Sequence, residues 1–401
     1  MPRVSEAWLR RILAVLYERR HTTRAEIVHA TRLNVASVSQ AIRHLLHHGV
    51  VQRSGQLRSA VGRKRDELKL NSEAGYFVAV DLEGTRVRFG LTNFMGDVRY
   101  RWEVPVAFGR RFDMRIFAKG IEATLANLGP RERSRVLAIG VSYSGIMDRS
   151  GRVTAVNLGW TDFPLAEKIR SLVDLPVFYG TESLTKLLAE RWLGAARGSN
   201  HCVFVTVANG IGCASMNEGH ALLGRDGAAG ELGHTIVDPG APDRCNCGRT
   251  GCLEAIASSP NIVRQYFEKT GQGRKRVFGE QVIEVFARAR EGDAAAVEVI
   301  DRAGRYLGLA LANLAHLLNP DLIVLGGDLI HAEDLFLPRI RKELARNVFP
   351  MMQASLEVKV SSLGLDIGLV GAASLAFHSA LREPALLKKI CSAYLEESKV
   401  A

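Results

Sequence analysis

Three cysteines and one histidine lie close together in a glycine-rich segment of the chain. His234, Cys245, Cys247 and Cys252 fall within 19 positions of the stretch GELGHTIVDPGAPDRCNCGRTGCLEA, which covers residues 230–255. Thiolates and imidazole are the ligands that tetrahedral Zn²⁺ prefers, and four protein ligands leave no open coordination position. The spacing therefore predicts a structural zinc site rather than a catalytic one. A set of buried free thiols, or a disulfide, is the alternative interpretation.

The overall composition is typical of an intracellular globular protein with more than one domain. The chain has 401 residues, and 47% of them are apolar; this length predicts roughly two or three domains. The start of the chain, MPRVSEAWLRR, lacks an uninterrupted apolar h-region, and no stretch of about 18 apolar residues occurs, so we expect neither a secretory signal nor a membrane span. Few cysteines lie outside the metal motif, which favours the reducing cytoplasm.

Positive charge is concentrated at the amino-terminal end of the chain. The formal net charge is +11, and residues 1–70 carry 14 Lys or Arg against 5 Asp or Glu. The other 331 residues carry 39 Lys or Arg against 37 Asp or Glu, so they are nearly neutral. A neutral body with a small basic head is typical of a nucleic-acid-binding module joined to another domain.

The first 50 residues predict three helices that could form a helix-turn-helix. Apolar residues recur at helical spacing from Trp8 to Tyr17, Thr23 and Glu26 match a capping box, and Asn34 can cap a third helix. The third helix is expected to bury Val35, Val38, Ile42, Leu45 and Leu46 and to point Ser37, Ser39, Gln40 and Arg43 outward. Small side chains allow a close approach to the major groove, and Gln and Arg can bond to base edges. The pattern therefore predicts binding to DNA.

A strand and a basic arm follow the third helix. Residues 50–70 predict a strand, a turn at Ser54 and Gly55, and an arm, which together give a winged helix-turn-helix. Within the arm, Arg63, Lys64 and Arg65 follow a glycine, and three cations on a flexible segment suit phosphates or a narrow minor groove. A solvated linker is the alternative interpretation of this charge run.

The chain as a whole resembles the ROK family of repressors, open-reading-frame products and sugar kinases. Six blocks carry the resemblance: GRKRDELKLN, VSYSGIMDRSGRVTAVNLGWTDFPL, ANGIGCASMNEGHALLGRDGAAGELGH, CNCGRTGCLEAIAS, NPDLIVLGGDLI and GLVGAASLA. They are similar to the branch of transcription regulators that has an amino-terminal winged helix. The resemblance implies an α/β fold with a winged helix-turn-helix at 1–70 and two actin-like, ribonuclease-H-like lobes at 71–195 and 196–401. The second lobe would carry the zinc knuckle and a final helix that returns to the first lobe.

Two positions depart from the kinases of this family. Their first phosphate loop reads D-x-G-G-T, and here Glu83 replaces the first glycine, which places a carboxylate where backbone amides would cradle phosphates. The catalytic aspartate of the kinases matches Glu182, after Thr181, and the extra methylene group would shift the basic oxygen. We therefore expect a protein that is not an enzyme, with Glu182 as catalytic base only in the kinase alternative.

The resemblance also implies a sugar pocket and a function. The pocket residues would be Gly145, Asn157, Glu182, Glu231, His234 and Glu254. His234 would bind zinc through one ring nitrogen and contact the sugar through the other. The predicted function is a sugar-responsive DNA-binding transcriptional regulator, acting as a repressor on operator DNA and assembled as a homodimer or higher oligomer. The alternatives are an ATP-dependent sugar kinase with a DNA-binding head and a regulator controlled by a protein partner.

Overall fold

A computed structural model describes residues 4–58, 64–106, 109, 112–271 and 281–392. In these ranges, no helix combines the length and the apolar character needed to cross a membrane.

Three helices and a small antiparallel sheet form the amino-terminal head. The helices are α1 (Glu6–Arg19), α2 (Arg24–Thr31) and α3 (Val35–His47), and the strands are β1 (Thr22–Thr23), β2 (Val51–Arg58) and β3 (Lys64–Leu70). The strands pair in the order β1-β3-β2. The capping box forms as predicted, because the Glu26 amide donates to Thr23 Oγ1 at 3.3 Å and the Thr23 amide donates to Glu26 Oε2 at 2.8 Å. The Asn34 side chain likewise accepts the Ser37 amide at 2.8 Å.

A mixed five-stranded sheet organises the first lobe. Its strands are β4 (Tyr76–Leu82), β5 (Arg86–Asn93), β6 (Val98–Pro105), β7 (Val136–Tyr143) and β11 (Val177–Thr181), in the order β11-β7-β4-β5-β6. A second small sheet contains β8 (Ile146–Met147), β9 (Val153–Ala155) and β10 (Trp160–Phe163), in the order β10-β9-β8. The helices are α4 (Arg115–Ala126), α5 (Pro130–Ser134), α6 (Leu165–Arg170) and α7 (Glu182–Leu193). Every residue of β4 and β7 is buried, as expected for central strands covered on both faces.

The second lobe repeats this plan around another five-stranded sheet. Its strands are β12 (Cys202–Val207), β13 (Ile211–Asn217), β14 (His220–Ala221), β15 (Leu322–Gly327) and β16 (Glu357–Val360), in the order β14-β13-β12-β15-β16. Its helices are α8 (Leu253–Ala257), α9 (Ser259–Thr270), α10 (Gln281–Arg290), α11 (Ala294–Leu318), α12 (Glu333–Asn347) and α13 (Pro350–Gln353). Short 3-10 turns lie at Ser72–Ala74, Val156–Leu158, Leu232–His234, Asp328–Ala332 and Gly364–Asp366. The two similar sheets agree with the expected two-lobed actin-like fold.

The last two helices return to the first lobe and join it to the head. They are α14 (Ile367–Arg382) and α15 (Pro384–Ser392). The close approach of α14 to β7 needs a glycine, because a Cβ atom at Gly140 would lie 1.8 Å from the Ala372 carbonyl oxygen. One continuous hydrophobic core contains residues of α1, α3, β4, α7, α14 and α15. The head therefore shares its hydrophobic core with the body and is not joined to it by a linker alone.

Candidate functional site

The histidine and the three cysteines of the metal motif converge on one point. The ligand atoms of His234, Cys245, Cys247 and Cys252 all lie within 4.8 Å of one another. Cys247 Sγ is 3.7 Å from Cys252 Sγ, and Cys245 Sγ is 3.6 Å from His234 Nδ1. Tetrahedral zinc with bonds of about 2.3 Å to sulfur and about 2.0 Å to nitrogen separates its ligands by roughly 3.5–3.8 Å. These four residues could therefore hold a metal ion, and the sulfur separation excludes a disulfide.

Short backbone elements bring these four residues together. His234 ends the 3-10 turn Leu232–His234, and isolated β-bridges join Ile236 to Cys252 and Arg244 to Thr250. Gly251 has a φ of +73°, and a Cβ atom there would lie 2.1 Å from the Asp238 carbonyl oxygen. Only glycine fits this left-handed position with such a close backbone neighbour. The glycine next to Cys252 is thus part of what closes the motif.

Two carboxylates lie beside the metal motif, and we call Glu231, His234 and Glu254 the knuckle group. His234 Nδ1 faces the cysteines, whereas His234 Nε2 lies 3.8 Å from Glu231 Oε2. Burial raises the pKa of Glu231, and the charge of Glu254 raises it further, although His234 lowers it. The side chain of Glu231 is still 47% exposed. The group therefore presents the half-exposed carboxylate of Glu231 next to a histidine whose Nδ1 faces the cysteines.

Glu254 connects the knuckle group to the turn between β12 and β13. Its Oε2 accepts a hydrogen bond from the Ile211 amide at 3.0 Å. A Cβ atom at Gly210 would lie 2.9 Å from the same oxygen, so the turn and the carboxylate are in close contact. One oxygen of Glu254 is therefore used inside the protein, and Oε1 lies 3.9 Å from Cys245 Sγ.

A second set of charged residues lies in the first lobe, at the hairpin that β4 and β5 form and at the start of α7. We call these residues the hairpin group: Asp81, Glu83, Arg88, Glu182 and Lys186. Lys186 is buried, and its Nζ lies 2.5 Å from Glu182 Oε1. Both carboxylate oxygens of Asp81 are buried without a hydrogen bond of normal geometry from the described residues. Burial raises the pKa of Asp81, and the nearby Lys186 lowers it. Lys186 is thus a buried cation between carboxylates of β4 and α7.

Glu83 occupies the turn of the hairpin and is also matched by cations. Its carboxylate lies 3.5 Å from Arg86 Nε and 3.7 Å from an Arg88 terminal nitrogen. Arg88 is 8% exposed and also lies 3.3 Å from Asp366 and 3.6 Å from Glu103. Burial and the charge of Asp81 raise the pKa of Glu83 to about 7, against the lowering effect of Arg88. The turn therefore carries a network of charges.

The two lobes meet between these groups. A Cβ atom at Gly84 of the hairpin would lie 2.8 Å from Asn209 Nδ2, which belongs to the β12–β13 turn. Ser183 Oγ of α7 is 3.5 Å from Thr206 Oγ1 of β12. The knuckle group and the hairpin group therefore flank the same turn, residues 208–210, from the two lobes.

The remaining predicted pocket residues lie after β7. Gly145 has a φ of +95°, and a Cβ atom there would lie 2.4 Å from the Thr154 carbonyl oxygen. Asn157 lies in the 3-10 turn Val156–Leu158, and its side chain is outside the described part of the structure. No contact among the described residues joins Gly145 to the knuckle group, so its role in a pocket stays a prediction.

The exposed face of α3 differs in part from the prediction. Arg43 is exposed and Ser39 and Gln40 are half-buried, but Ser37 is 6% exposed and belongs to the buried face. Val35 was expected inside and is 67% exposed. Ser37 lies four residues before Ala41, so it falls on the buried helical stripe, and this spacing could have revealed it. The prediction that Ser37 points outward was wrong.

The basic arm is described only in part. Lys64 and Arg65 begin β3, and their side chains lie outside the described part of the structure, as does the whole of Arg63. Their contact with DNA stays a prediction.

Sequence reasoning missed two features of this region. Lys186 follows Glu182 by four residues in α7, and this spacing is a recognisable ion-pair signal. Tyr17 of α1 is stacked between two rings of the body, at centroid distances of 3.9 Å to Trp192 and 3.8 Å to Phe377. No local pattern predicts that stack, because the three residues are far apart in the sequence.

Comparison with known proteins gives one consistent result. The ROK family profile matches residues 77–379. A glucokinase of Halalkalibacterium halodurans is 32% identical over 308 residues, covering 74% of this chain and 93% of the kinase. A xylose repressor of Caldicellulosiruptor bescii is 27% identical over 384 residues, covering 93% of this chain and 96% of the repressor.

A solved structure extends the similarity to the whole fold. A ROK family transcriptional regulator, homologous to the E. coli MLC protein, matches with a TM-score of 0.80 at 24% identity. It covers 96% of this chain and 100% of its own. The kinase thus matches about three quarters of the chain, whereas the two regulators match nearly all of it.

Proposed function

Because this chain belongs to the ROK family, we propose that it is a sugar-responsive, DNA-binding transcriptional repressor. The observation that carries the proposal is the shared core of the basic head and the two-lobed body. A head built into the body in this way can respond to events between the lobes. The similarity to a xylose repressor over 93% of the chain supports the same function.

The head would bind DNA through α3 and the basic arm. Arg43 is exposed on α3, Ser39 and Gln40 lie beside it, and Arg63, Lys64 and Arg65 follow in the arm. A recognition helix reads base edges in the major groove, while arm cations contact phosphates or the minor groove. Paired half-sites would need two heads, and we therefore propose a homodimer or higher homo-oligomer.

The sugar would bind between the lobes on the knuckle group, with Glu182, Gly145 and Asn157 on the first-lobe side. Glu231 and Glu254 can each accept hydrogen bonds from sugar hydroxyls, and the accessible carboxylate of Glu231 supports this role. The sugar named by the matching repressor makes a pentose the first candidate.

His234, Cys245, Cys247 and Cys252 would hold a structural zinc ion, which fixes the ring of His234 through Nδ1 and supplies no reactive position. His234 Nε2 would then stay directed towards Glu231 and the sugar. A metal held by these four residues would thus fix the orientation of His234, and His234 would in turn shape the pocket.

Two helices can carry the signal from the lobes to the head. α7 begins at Glu182 and places Trp192 about 15 Å further along its axis, against Tyr17. α14 begins beside Asp81, because a Cβ atom at Gly368 would lie 1.8 Å from its Oδ2, and it places Phe377 on the other face of Tyr17. A relative shift of α7 and α14 on sugar binding would therefore move the ring of Tyr17, and α1 with it.

The experiment is a titration of operator DNA, selected by the protein from a random library, with and without xylose, glucose or N-acetylglucosamine. We expect one sugar to change the dissociation constant for DNA by about 5–150-fold, the range of a coupling of 1–3 kcal/mol. Fluorescence anisotropy measures DNA binding, and calorimetry measures sugar binding. DNA affinity that no sugar changes would overturn the proposed response.

Two variants of Tyr17 test the path of the signal. Tyr17→Leu removes the stacked ring, so we expect sugar binding to persist while the sugar response of DNA binding is lost. Tyr17→Phe is the matched control, because it keeps the ring that stacks on Trp192 and Phe377 and removes only the hydroxyl. This control should respond to sugar as the unmodified chain does.

The second candidate function is a sugar kinase, which the 32% identity to a glucokinase favours. Glu182 would then be the catalytic base, although it is paired with Lys186. An assay of sugar-dependent ADP formation from Mg-ATP distinguishes the two functions. Turnover that disappears in Glu182→Gln would establish the kinase.

A further inference from the structure

A cavity of about 180 Å³ lies where the head meets both lobes. Its walls come from α1 of the head, from α7 and α14, and from the β13–β14 hairpin of the second lobe. No residue of the knuckle group or the hairpin group lines it. The cavity is therefore distinct from the proposed sugar pocket.

The lining of the cavity has an apolar part and a cationic part. Leu184 and Leu188 of α7 and Leu375 of α14 are apolar, whereas Arg191 and Arg382 bring guanidinium groups. An apolar surface next to a cation suits a molecule with an apolar body and an anionic end. Neutral sugars, which carry hydroxyls on every side, are poorly matched to such a lining.

One of the two guanidinium groups is left without a counter-charge. Arg191 lies 3.6 Å from Glu18 and donates to Asn200 Oδ1 at 3.0 Å. Arg382 is exposed and has no ion-pair partner in the part of the chain that the structure describes. Burial, with Arg382 and Arg191 nearby, lowers the pKa of His378 to about 4, so this imidazole adds no charge at neutral pH. Glu18 offsets Arg191, so the arginines and the glutamate of the lining together leave one excess positive charge, which suits a monoanion.

The volume limits the size of the molecule. An engineered protein cavity of about 150 Å³ accommodates benzene. A cavity of about 180 Å³ therefore accommodates a ring of that size with one small substituent, such as a carboxylate.

We propose that this cavity is a second effector site, which binds a small monocarboxylate with an apolar body. The carboxylate would lie at Arg382, and the apolar body would lie on Leu184, Leu188 and Leu375. Because the head and both lobes contribute walls, a bound molecule would stabilise one placement of the head. This site goes beyond the proposed sugar response, and its occupation does not depend on it.

The test uses the full chain and benzoate as the probe, with calorimetry and thermal shift at constant ionic strength. Benzamide has the same shape without the charge, and sulfate has charge without an apolar body. We expect saturable benzoate binding with a raised melting temperature, and binding of benzamide and sulfate at least about tenfold weaker, as for loss of a charge-assisted hydrogen bond. Absence of saturable benzoate binding would overturn the proposal.

Three variants locate the site. Arg382→Gln should weaken benzoate binding by about tenfold or more, because it removes the unpaired cation. Ala221→Leu places bulk in the lining and should abolish binding. Arg346→Gln, an exposed position on α12 away from the cavity, is the matched control and should bind benzoate normally.

The outcomes separate the site from the sugar response. Equal binding by the Arg382→Gln and Arg346→Gln variants, or equal binding of benzamide and benzoate, would contradict the assigned role of Arg382. Benzoate binding by a chain that binds no sugar would support the second site and overturn the proposed sugar response. Sugar binding without benzoate binding would support the proposed sugar response and overturn the second site.

Discussion

The knuckle group and the hairpin group flank the same turn but differ in how their carboxylates are paired with cations. Glu231 of the knuckle group is 47% exposed, and the ion pair that the structure gives it is with His234. In the hairpin group, Glu182 pairs with buried Lys186 and Glu83 lies beside Arg88. The carboxylate of Glu231 therefore keeps more of its lone pairs for a ligand, whereas Glu182 and Glu83 each use part of theirs inside the protein.

This difference supports the proposed ligand site at the knuckle group rather than at the hairpin group. The phosphates of a nucleotide need exposed backbone amides and a cation, and at the hairpin they would meet Glu83. The cations at the hairpin are already neutralised by the chain's own acids. In the described part of the chain, Glu231 is paired with His234 alone, which leaves its carboxylate available to the proposed sugar ligand.

The largest expected effect comes from breaking the knuckle. Cys252→Ser should lose most of about one bound zinc equivalent and should lower the melting temperature by several degrees, since loss of a metal is among the most destabilising changes. Atomic emission spectrometry and calorimetry measure the two effects. Cys391→Ser, a buried cysteine of α15 outside the motif, is the control and should keep its metal. Equal metal content in both variants would contradict the assigned ligands.

The next largest effect is the loss of stability expected when the buried cation of the hairpin group, Lys186, is removed. Lys186→Met should lower the free energy of unfolding by about 3–5 kcal/mol, because it leaves Glu182 and Asp81 without their cation in a buried place. Lys359→Met breaks an exposed pair with Glu357 and should cost at most about 1 kcal/mol. Urea denaturation compares them. If both variants lost the same stability, the hairpin group would not depend on this charge.

A smaller effect is expected on the binding of sugar at the knuckle group. Glu231→Gln should weaken sugar binding by about 10–150-fold, as expected when a hydrogen bond to a charged group is lost. Stability should change little, because the side chain is half exposed. Glu122→Gln on the exposed face of α4 is the control, and calorimetric titration with xylose is the measurement. Unchanged sugar affinity in Glu231→Gln would remove Glu231 from the pocket.

The smallest effect is a dependence on pH at the hairpin. The pKa of Glu83 is raised from 4.5 to about 7 by burial and by Asp81, with Glu182 adding to the shift and Arg88 and Lys186 opposing it. The folded chain thus binds more protons here than the unfolded chain, so this contribution to stability falls as pH rises from about 4.5 to about 7.

Glu83→Gln should remove this dependence of stability on pH, because the amide does not titrate. The variant should therefore gain stability relative to the unmodified chain as pH rises through this window, which urea denaturation at a series of pH values measures. The gain is modest because the side chain is one-third exposed. Parallel pH profiles for the two proteins would show that the acid is not perturbed.

Local sequence signals predicted much of the fold and the metal motif. The capping box at Thr23 and the cap at Asn34 depend on neighbouring residues, and both form. The cysteine spacing likewise predicted the convergence with His234. The domain limits and the sugar and DNA contacts stay predictions. Ser37 lies on the buried face of α3, which its helical spacing to Ala41 indicates and its polar side chain does not.

The sequence by itself determined what short-range patterns can carry: the basic head, the capped helices, the cysteine motif and the changed residue at position 83. Only the tertiary structure decided which charges face one another and where the head is held. Lys186 is placed near Asp81 by the packing of α7 against the sheet, and Tyr17 meets Trp192 and Phe377 through residues far apart in the chain. Such contacts depend on the relative positions of whole elements, which long-range packing fixes and which no local pattern encodes.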